Sequence, residues 1–358
     1  MEEHSYILDC NTSKERSILR YSGSWSELMD LVDKFILSEL MANCRVSAGS
    51  ISKKLNLSPT SVHKRITKLK QKGGISRGYV FLSLAMLDAD YCMCWISTDA
   101  TEIDEYQIRE IGKHPAVDES GRYGPRNLYA TTEVSDSESI IDLNSFLREF
   151  EFVQEVNMER IFPLTPTSMP DHQKWVFRGK KVSFTNLQKT VLNHLLKDAR
   201  IPAAEIAKKT NYSARRIQQI INELQECGGL YFTVHPRFDA LEQIPFMVHI
   251  NYDEKKIMPH EVVAWIQDKI PVEYWNSFQI VDQPKTYHVF SAGNMKRIEQ
   301  ITNLIKDEPF SKLVETIVFQ SQHHFAGLGH VGLCKLLGVK PSNHKVKYFP
   351  PPSGTHWY

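Results

Sequence analysis

Between Glu39 and Asp88 the chain has no acidic residue, yet it holds nine cationic ones: Arg45, Lys53, Lys54, Lys64, Arg65, Lys68, Lys70, Lys72 and Arg77. Cations at that density suit a polyanion, because each one set against a phosphate releases a condensed counterion. The alternative reading is a solvated basic helix face. The 358 residues include 43 basic and 42 acidic side chains, a net charge of +1, so the chain outside this block stands at −8. A basic block inside an acidic protein is an electrostatic footprint for nucleic acid.

Other residues with chemical potential are less well placed. Cys92 and Cys94 share one face of a strand and lack companion ligands, so they read as core. The six cysteines, Cys10, Cys44, Cys92, Cys94, Cys227 and Cys334, show no CxxC spacing, as expected for reduced thiols in a cytoplasmic protein. His323, His324 and His330 could ligate a metal, but they sit in a Gly-rich tail without cysteine partners; no metal and no cofactor is expected. No Ser/His/Asp order, P-loop or HExxH is present. No apolar run approaches the roughly 18 residues of a membrane span, and the N-terminus has no secretory pattern, so no membrane partner is expected. With 42% hydrophobic and 24% charged residues, the composition can build packed cores and excludes a disordered chain, a collagen or a disulfide scaffold.

The elements that must position the basic block occur twice. Leu31 to Ile75 lies without a gap over Asn186 to Leu230, at an offset of 155 residues. Arg45 then meets Arg200, Lys53 and Lys54 meet Lys208 and Lys209, Asn56 meets Asn211, and Gly73-Gly74 meets Gly228-Gly229. In each copy the apolar spacing predicts three helices. The first carries Phe35, Ile36, Leu37 and Leu40, and the second runs from Ala48 to Leu55. The third opens at Ser58-Pro59 as N-cap and first-turn proline, buries Val62, Ile66 and Leu69, and stops at Gly73-Gly74. Strands are expected over Ile75 to Leu84 and Leu230 to Val234. Two helices joined by a tight turn, with a helix before and a strand hairpin after, make a winged helix-turn-helix.

After each head the period changes to β-α-β-β-α-β, the ferredoxin-like order. The expected fold class is therefore α+β, as two tandem units, each a winged helix-turn-helix followed by a ferredoxin-like domain. Residues 1–25 form an N-terminal extension and 26–85 the first winged helix-turn-helix. The first ferredoxin-like domain takes 86–164 and a linker 165–182. The second pair takes 183–240 and 241–321, and a basic, His-containing tail 322–358.

The text LVDKFILSELMANCRVSAGSISKKLNLSPTSVHKRITKLKQKGGI, followed by β-α-β-β-α-β, resembles the Lrp/AsnC family of prokaryotic transcription regulators. The matching features are Leu31-x-Asp33, Arg45 before the second helix, Leu57-Ser58 at the turn, Arg65-Ile66 and Gly73-Gly74-Ile75. The second copy departs from it, with Gln188 in place of the Asp and Ile220 in place of Arg65. Members usually carry one unit per chain, so the duplication is itself a departure.

The resemblance implies a DNA-binding regulator and not an enzyme, with double-stranded DNA as partner. In a helix-turn-helix the second helix of the pair enters the major groove. The expected DNA-facing residues are Ser58, Thr60, Ser61, His63, Lys64, Thr67, Lys68 and, in the wing, Arg77. In the second copy they are Ser213, Arg215, Arg216, Gln218, Gln219 and Asn222. The family's sheets pair, which implies a homo-oligomer or an intramolecular pseudo-dimer. The family often binds an amino acid near the turn after the second strand, so a small-molecule effector would meet Gly121, Tyr123 and Arg126. A regulator would show Gly followed three residues later by Asp, where this chain has Gly124. Two alternatives remain: a sirohaem decarboxylase-like enzyme of the same fold, and an architectural DNA binder without effector. The enzyme branch carries His-Asn-Tyr followed by Arg where this chain has Asp118 to Arg122.

Overall fold

The computed structural model describes residues 29–341 apart from 76, 100–102, 165–173 and 178. The N-terminal extension, most of the linker and the end of the tail lie outside the described residues.

Head one opens with α1 (Leu31–Ala42), capped by the Asp30 carboxylate on the Asp33 N–H at 2.7 Å. Ser47 caps α2 (Ala48–Leu55), which ends at Asn56 in the left-handed region at φ 51°. That residue makes the tight connection to α3 (Pro59–Gln71), whose N-cap is Ser58 and whose first residue is proline. Val62, Ile66 and Leu69 are buried, as the apolar spacing predicts. Past β1 (Tyr79–Leu82) and the one-turn α4 (Leu84–Leu87), the first ferredoxin-like unit comprises six elements. They are β2 (Asp90–Thr98), α5 (Glu105–Ile111), β3 (Val117–Gly124), β4 (Asn127–Val134), α6 (Ser137–Arg148) and β5 (Val153–Leu164).

A one-turn α7 (Lys174–Phe177) precedes head two: α8 (Asn186–Leu195), α9 (Ala203–Ala207), α10 (Ala214–Glu226) and β6 (Leu230–Thr233). The second unit repeats the order as β7 (Ile244–Tyr252), α11 (Pro259–Lys269), β8 (Tyr274–Ile280), β9 (Lys285–Ala292), α12 (Met295–Lys306) and β10 (Ser311–Val318). The expected β-α-β-β-α-β pattern is present in both.

The wing differs from expectation. Among the described residues neither head closes a hairpin of its own. Instead β1 pairs antiparallel with β6, from Tyr79 opposite Thr233 to Leu82 opposite Leu230. Each head supplies a single short strand, so its unpaired edge is satisfied by the other head. The helices of both heads then share one hydrophobic core, in which Ile36, Leu40, Val62 and Ile66 pack with Leu192, Leu195, Ile217 and Ile221.

The two four-stranded sheets join in the order β10-β7-β9-β8-β5-β2-β4-β3, and β11 (His323–His324) adds to the β3 edge. Each unit's chain runs on from its fourth strand to the second strand of the other unit, through β5 itself in the first unit and through the separate β11 in the second. β5 pairs with β8 from Ile161 opposite Ile280 to Leu164 opposite Ser277. Beyond β10, the Gln320 N–H donates to the Arg122 carbonyl at 2.7 Å, and His323 and His324 face Ser120 and Glu119. Between the sheets Met93, Tyr129, Ile161, Met247, Phe278, Tyr287 and Phe319 form one core. The pseudo-dimer is thus made within the chain.

The tail assigned to 322–358 is folded over its first part. After β11, α13 (Gly327–Leu337) packs on β1 and α4 and buries Leu333 and Cys334. Here the glycines permit close approach: a Cβ on Gly329 would lie 3.1 Å from the Leu82 carbonyl oxygen.

Candidate nucleic-acid interface

The outward face of α3 carries the residues expected there. Thr60, Ser61, His63, Lys64, Thr67 and Lys68 are all exposed, on the side opposite Val62, Ile66 and Leu69. Among the described residues, Lys64 and Lys68 form no ion pair. Ser58 is exposed too, but its hydroxyl caps the helix by accepting the Ser61 N–H at 3.1 Å, which occupies one of its lone pairs.

Several of the nine cations are committed to architecture. Arg65 Nη1 lies 2.7 Å from Asp30 and 2.8 Å from Asp33, and so fixes the angle of α3 on α1. Lys54 pairs with the buried Glu39 at 2.7 Å. Arg45 donates to the carbonyls of Ala199 and Ile201, and Arg77 to that of Lys197 at 2.7 Å, with its guanidinium over the Tyr79 ring. Arg77 is therefore half-buried as a bridge between heads, where a free wing contact was expected. Lys53, Lys64, Lys68 and Lys70 remain exposed.

On α10, Ser213 caps through the Arg216 N–H, and Arg215, Arg216, Gln218, Gln219 and Asn222 are exposed. Several hold one another: Gln218 donates to Asn222 at 2.8 Å, Gln219 to Glu223 at 3.2 Å, and Arg216 lies 3.7 Å from Glu223. Glu223 also accepts from Gln188 of α8 at 3.3 Å. That bond takes the place of the Asp33–Arg65 pair, whose residues head two lacks.

The residues expected at an effector site do not converge. A Cβ on Gly121 would overlap the Ser321 carbonyl, so this glycine serves the crossing of the second unit's chain over β3. Tyr123 packs edge-on against Trp95, ring centroids 5.2 Å apart. Arg126 is exposed, and its carbonyl accepts the Thr98 N–H at 2.9 Å. A shallow cavity of about 330 Å³ lies elsewhere, between Leu164, Tyr252, Ile257, Met258, His260 and Gln279. Among the described residues no three His, Cys, Asp or Glu side chains come together as a metal site, and no helix is long and apolar enough to cross a membrane.

Residues 29–70 match the AsnC-type helix-turn-helix domain, and residues 185–228 match a winged helix-turn-helix DNA-binding domain. The two helical heads are thus similar to the helix-turn-helix domains of AsnC-type regulators. It is 42% identical over 52 residues to an uncharacterized HTH-type transcriptional regulator of Pyrococcus furiosus, a match covering 14% of this chain and 35% of the relative. It is 35% identical over 63 residues to the regulatory protein AsnC of Escherichia coli K12, covering 18% of this chain and 41% of AsnC. The chain thus spans about a third of the length of the first of these relatives. Among solved structures, the sirohaem decarboxylase NirDL aligns with a TM-score of 0.47 at 15% identity, over 86% of this chain and 98% of that one. E. coli AsnC aligns with a TM-score of 0.31 at 21% identity, over 37% of this chain and 91% of that one.

Two sets of contacts between the heads and the sheets have no sequence signal. The first is Lys34 on α1, buried, whose ammonium donates to the carbonyls of Pro271, at 2.6 Å, and Tyr274. It also lies 5.2 Å from the Trp275 ring centre, and burial lowers its pKa to about 7 although Glu273 opposes the shift. The second is a buried seam of acids and histidines. Tyr91 donates to Asp118 at 2.7 Å, Tyr129 to Glu119 at 2.8 Å, and the Gly329 N–H to Glu133 at 2.8 Å. His324 lies 3.3 Å from Glu119, and its ring is 4.3 Å from that of His235 beyond β6. Burial raises the Glu133 carboxyl to about 8 and lowers His324 to about 4. Only the fold brings these residues together, from β2, β3, β4, β11 and α13. Periodicity could not reveal them.

Proposed function

We propose that this chain is a sequence-specific DNA-binding transcription regulator of the cytoplasm that presents α3 and α10 to the major groove. The observation that carries the reading is the α3 face. Thr60, Ser61, His63, Lys64, Thr67 and Lys68 all point outward from an AsnC-type helix-turn-helix, in a stretch with no acid from residue 40 to 87. Lysines there suit phosphates and guanine edges, and short hydroxyls near the helix entry suit phosphates or bases.

The decarboxylase reading lacks its residues. Asp118 and Glu119 are tied to Tyr91, Thr131 and Tyr129, and Arg122 donates to the Ile103 carbonyl. An architectural role and an effector-responsive role both leave the heads with the same task.

Genomic DNA captured by the purified chain, followed by footprints across a salt series, tests the proposal. Discrete protected sites in promoters, with affinity falling steeply as salt rises, are expected. Sequence-independent coating would favour the architectural role. No binding to any genomic fragment at low salt would remove the DNA reading altogether.

A further inference from the structure

We propose that one chain reads a composite, non-palindromic DNA site: two dissimilar half-sites at one fixed spacing. The inference rests on the DNA-binding reading above and concerns what kind of site that reading demands.

The heads are held as a rigid, pseudo-twofold pair. Donors 155 apart bond at the other head's wing strand: the Cys44 N–H donates to the Phe232 carbonyl at 3.0 Å, and the Ala199 N–H to the Gly78 carbonyl at 3.1 Å. The β1–β6 ladder, an Ile75–Pro236 bridge and the Arg237 N–H on the Gly74 carbonyl extend the join over both wings. Gln225 of α10 donates to Asn43 at 3.0 Å. One hydrophobic core runs through both heads. Turning one head independently would break the ladder and open that core, so α3 and α10 are presented at a constant separation and angle.

The pair is twofold in its frame but not in its reading faces. Ser58 and Ser213 cap the two helices alike, and Val62, Ile66 and Leu69 are matched inside by Ile217, Ile221 and Leu224. Outside, each position differs. Thr60 is replaced by Arg215, Ser61 by Arg216, His63 by Gln218 and Lys64 by Gln219. Thr67 gives way to Asn222, and Lys68 to Glu223, a reversal of charge. Gln and Asn make bidentate bonds to adenine edges, and Arg, like Lys, to guanine edges. The α3 face offers lysine, histidine and hydroxyls, with no amide side chain at the matched positions to read adenine. A dimer of identical single units presents one reader twice and matches a palindrome. This chain presents two different readers in that arrangement, so the two half-sites must differ.

Selection from a random-sequence DNA pool with the full chain tests this, followed by binding to the enriched site and mass measurement of the complex. The expected motif is asymmetric, with two unlike halves at one spacing, bound by one chain. Gln218→Ala with Gln219→Ala should relax preference in one half alone, and His63→Ala with Lys64→Ala in the other alone. These positions are exposed, and circular dichroism confirms that the variants fold. One base pair inserted between the halves should weaken binding at least about tenfold. A palindromic motif, relaxation of both halves by either variant, or indifference to the insertion would overturn the inference while leaving DNA binding intact. No enrichment of any sequence, with no salt-dependent binding, would instead overturn the reading on which it rests.

Discussion

Arg45 Nη1 lies 2.6 Å from the carbonyl oxygen of Ala199 and ties the first head to the second. Its repeat partner does not reciprocate: Arg200 Nη1 is buried and, among the described residues, has no hydrogen-bond partner. The join between heads is therefore asymmetric in its side chains, and Arg45 and Arg77, both from the first head, carry the charged part of it. Arg45→Ala leaves the carbonyls of Ala199 and Ile201 without their donor, at a cost of about 1–3 kcal/mol per unsatisfied group. Chemical denaturation should show a stability loss in that range. Binding to a two-half DNA site should weaken by more than binding to either half alone.

The free cations of α3 should govern the salt response. Lys64 and Lys68 are exposed without ion pairs among the described residues, whereas Arg216 is near Glu223. Each phosphate deprived of its cation lowers the slope of log affinity against log salt by about 0.9. Lys64→Ala with Lys68→Ala should lower it by nearly two, and Arg215→Ala with Arg216→Ala by less. Anisotropy titrations at several salt concentrations decide the order. A larger affinity decrease from the arginine pair at matched salt reverses the ranking.

Lys34 should make stability rise with pH. Its folded pKa of about 7 is below the ordinary 10.5, so between these values the unfolded chain binds the extra proton. The folded state therefore gains stability as pH rises across that window, by up to about 1.4 kcal/mol per unit. Below pH 7 both states hold the proton and the contribution is constant. Glu273, which pairs with Arg297 at 2.7 Å, is the charged group that the lysine faces. Melting curves at pH 7 and pH 9 should separate the wild type from Lys34→Met, the wild type gaining more. Equal changes in both would show that Lys34 is not titrating.

Gly121 should tolerate no side chain. A Cβ there meets the Ser321 carbonyl and lies 2.7 Å from the Tyr129 ring, where the second unit's chain crosses β3. Overpacking against backbone costs about 1–3 kcal/mol. Gly121→Ala should lower the denaturation midpoint accordingly and loosen β11. Gly338→Ala serves as comparison: a Cβ there meets nothing within 4 Å, although its φ of +67° carries some strain. Faster hydrogen exchange at His323 and His324 in the Gly121 variant alone would mark the crossing as the affected place.

Much was legible in the residues themselves because the signals are local. The repeat at 155, the Ser58-Pro59 cap, the Gly73-Gly74 stop and the burial of Val62, Ile66 and Leu69 follow from helix period and cap chemistry. The β-α-β-β-α-β order and the outward set on α3 follow from the same periodicity.

What the heads and sheets do to each other was decided by tertiary structure. Charge counting assigned nine cations to DNA, but Lys54 and Arg65 found carboxylates on α1 or its cap, and Arg45 and Arg77 found carbonyls of the other head. The wing strand looked like half a hairpin, and its partner came from a head about 150 residues on. Gly121 read as a ligand loop and serves a strand crossing. The tail, for which no element was expected, folds over its first part into β11 and α13. Side-chain type and spacing specify which face of an element is apolar. They carry no record of which distant backbone will lie against it, and that contact determines whether a cation is spent on architecture or remains exposed to meet a phosphate.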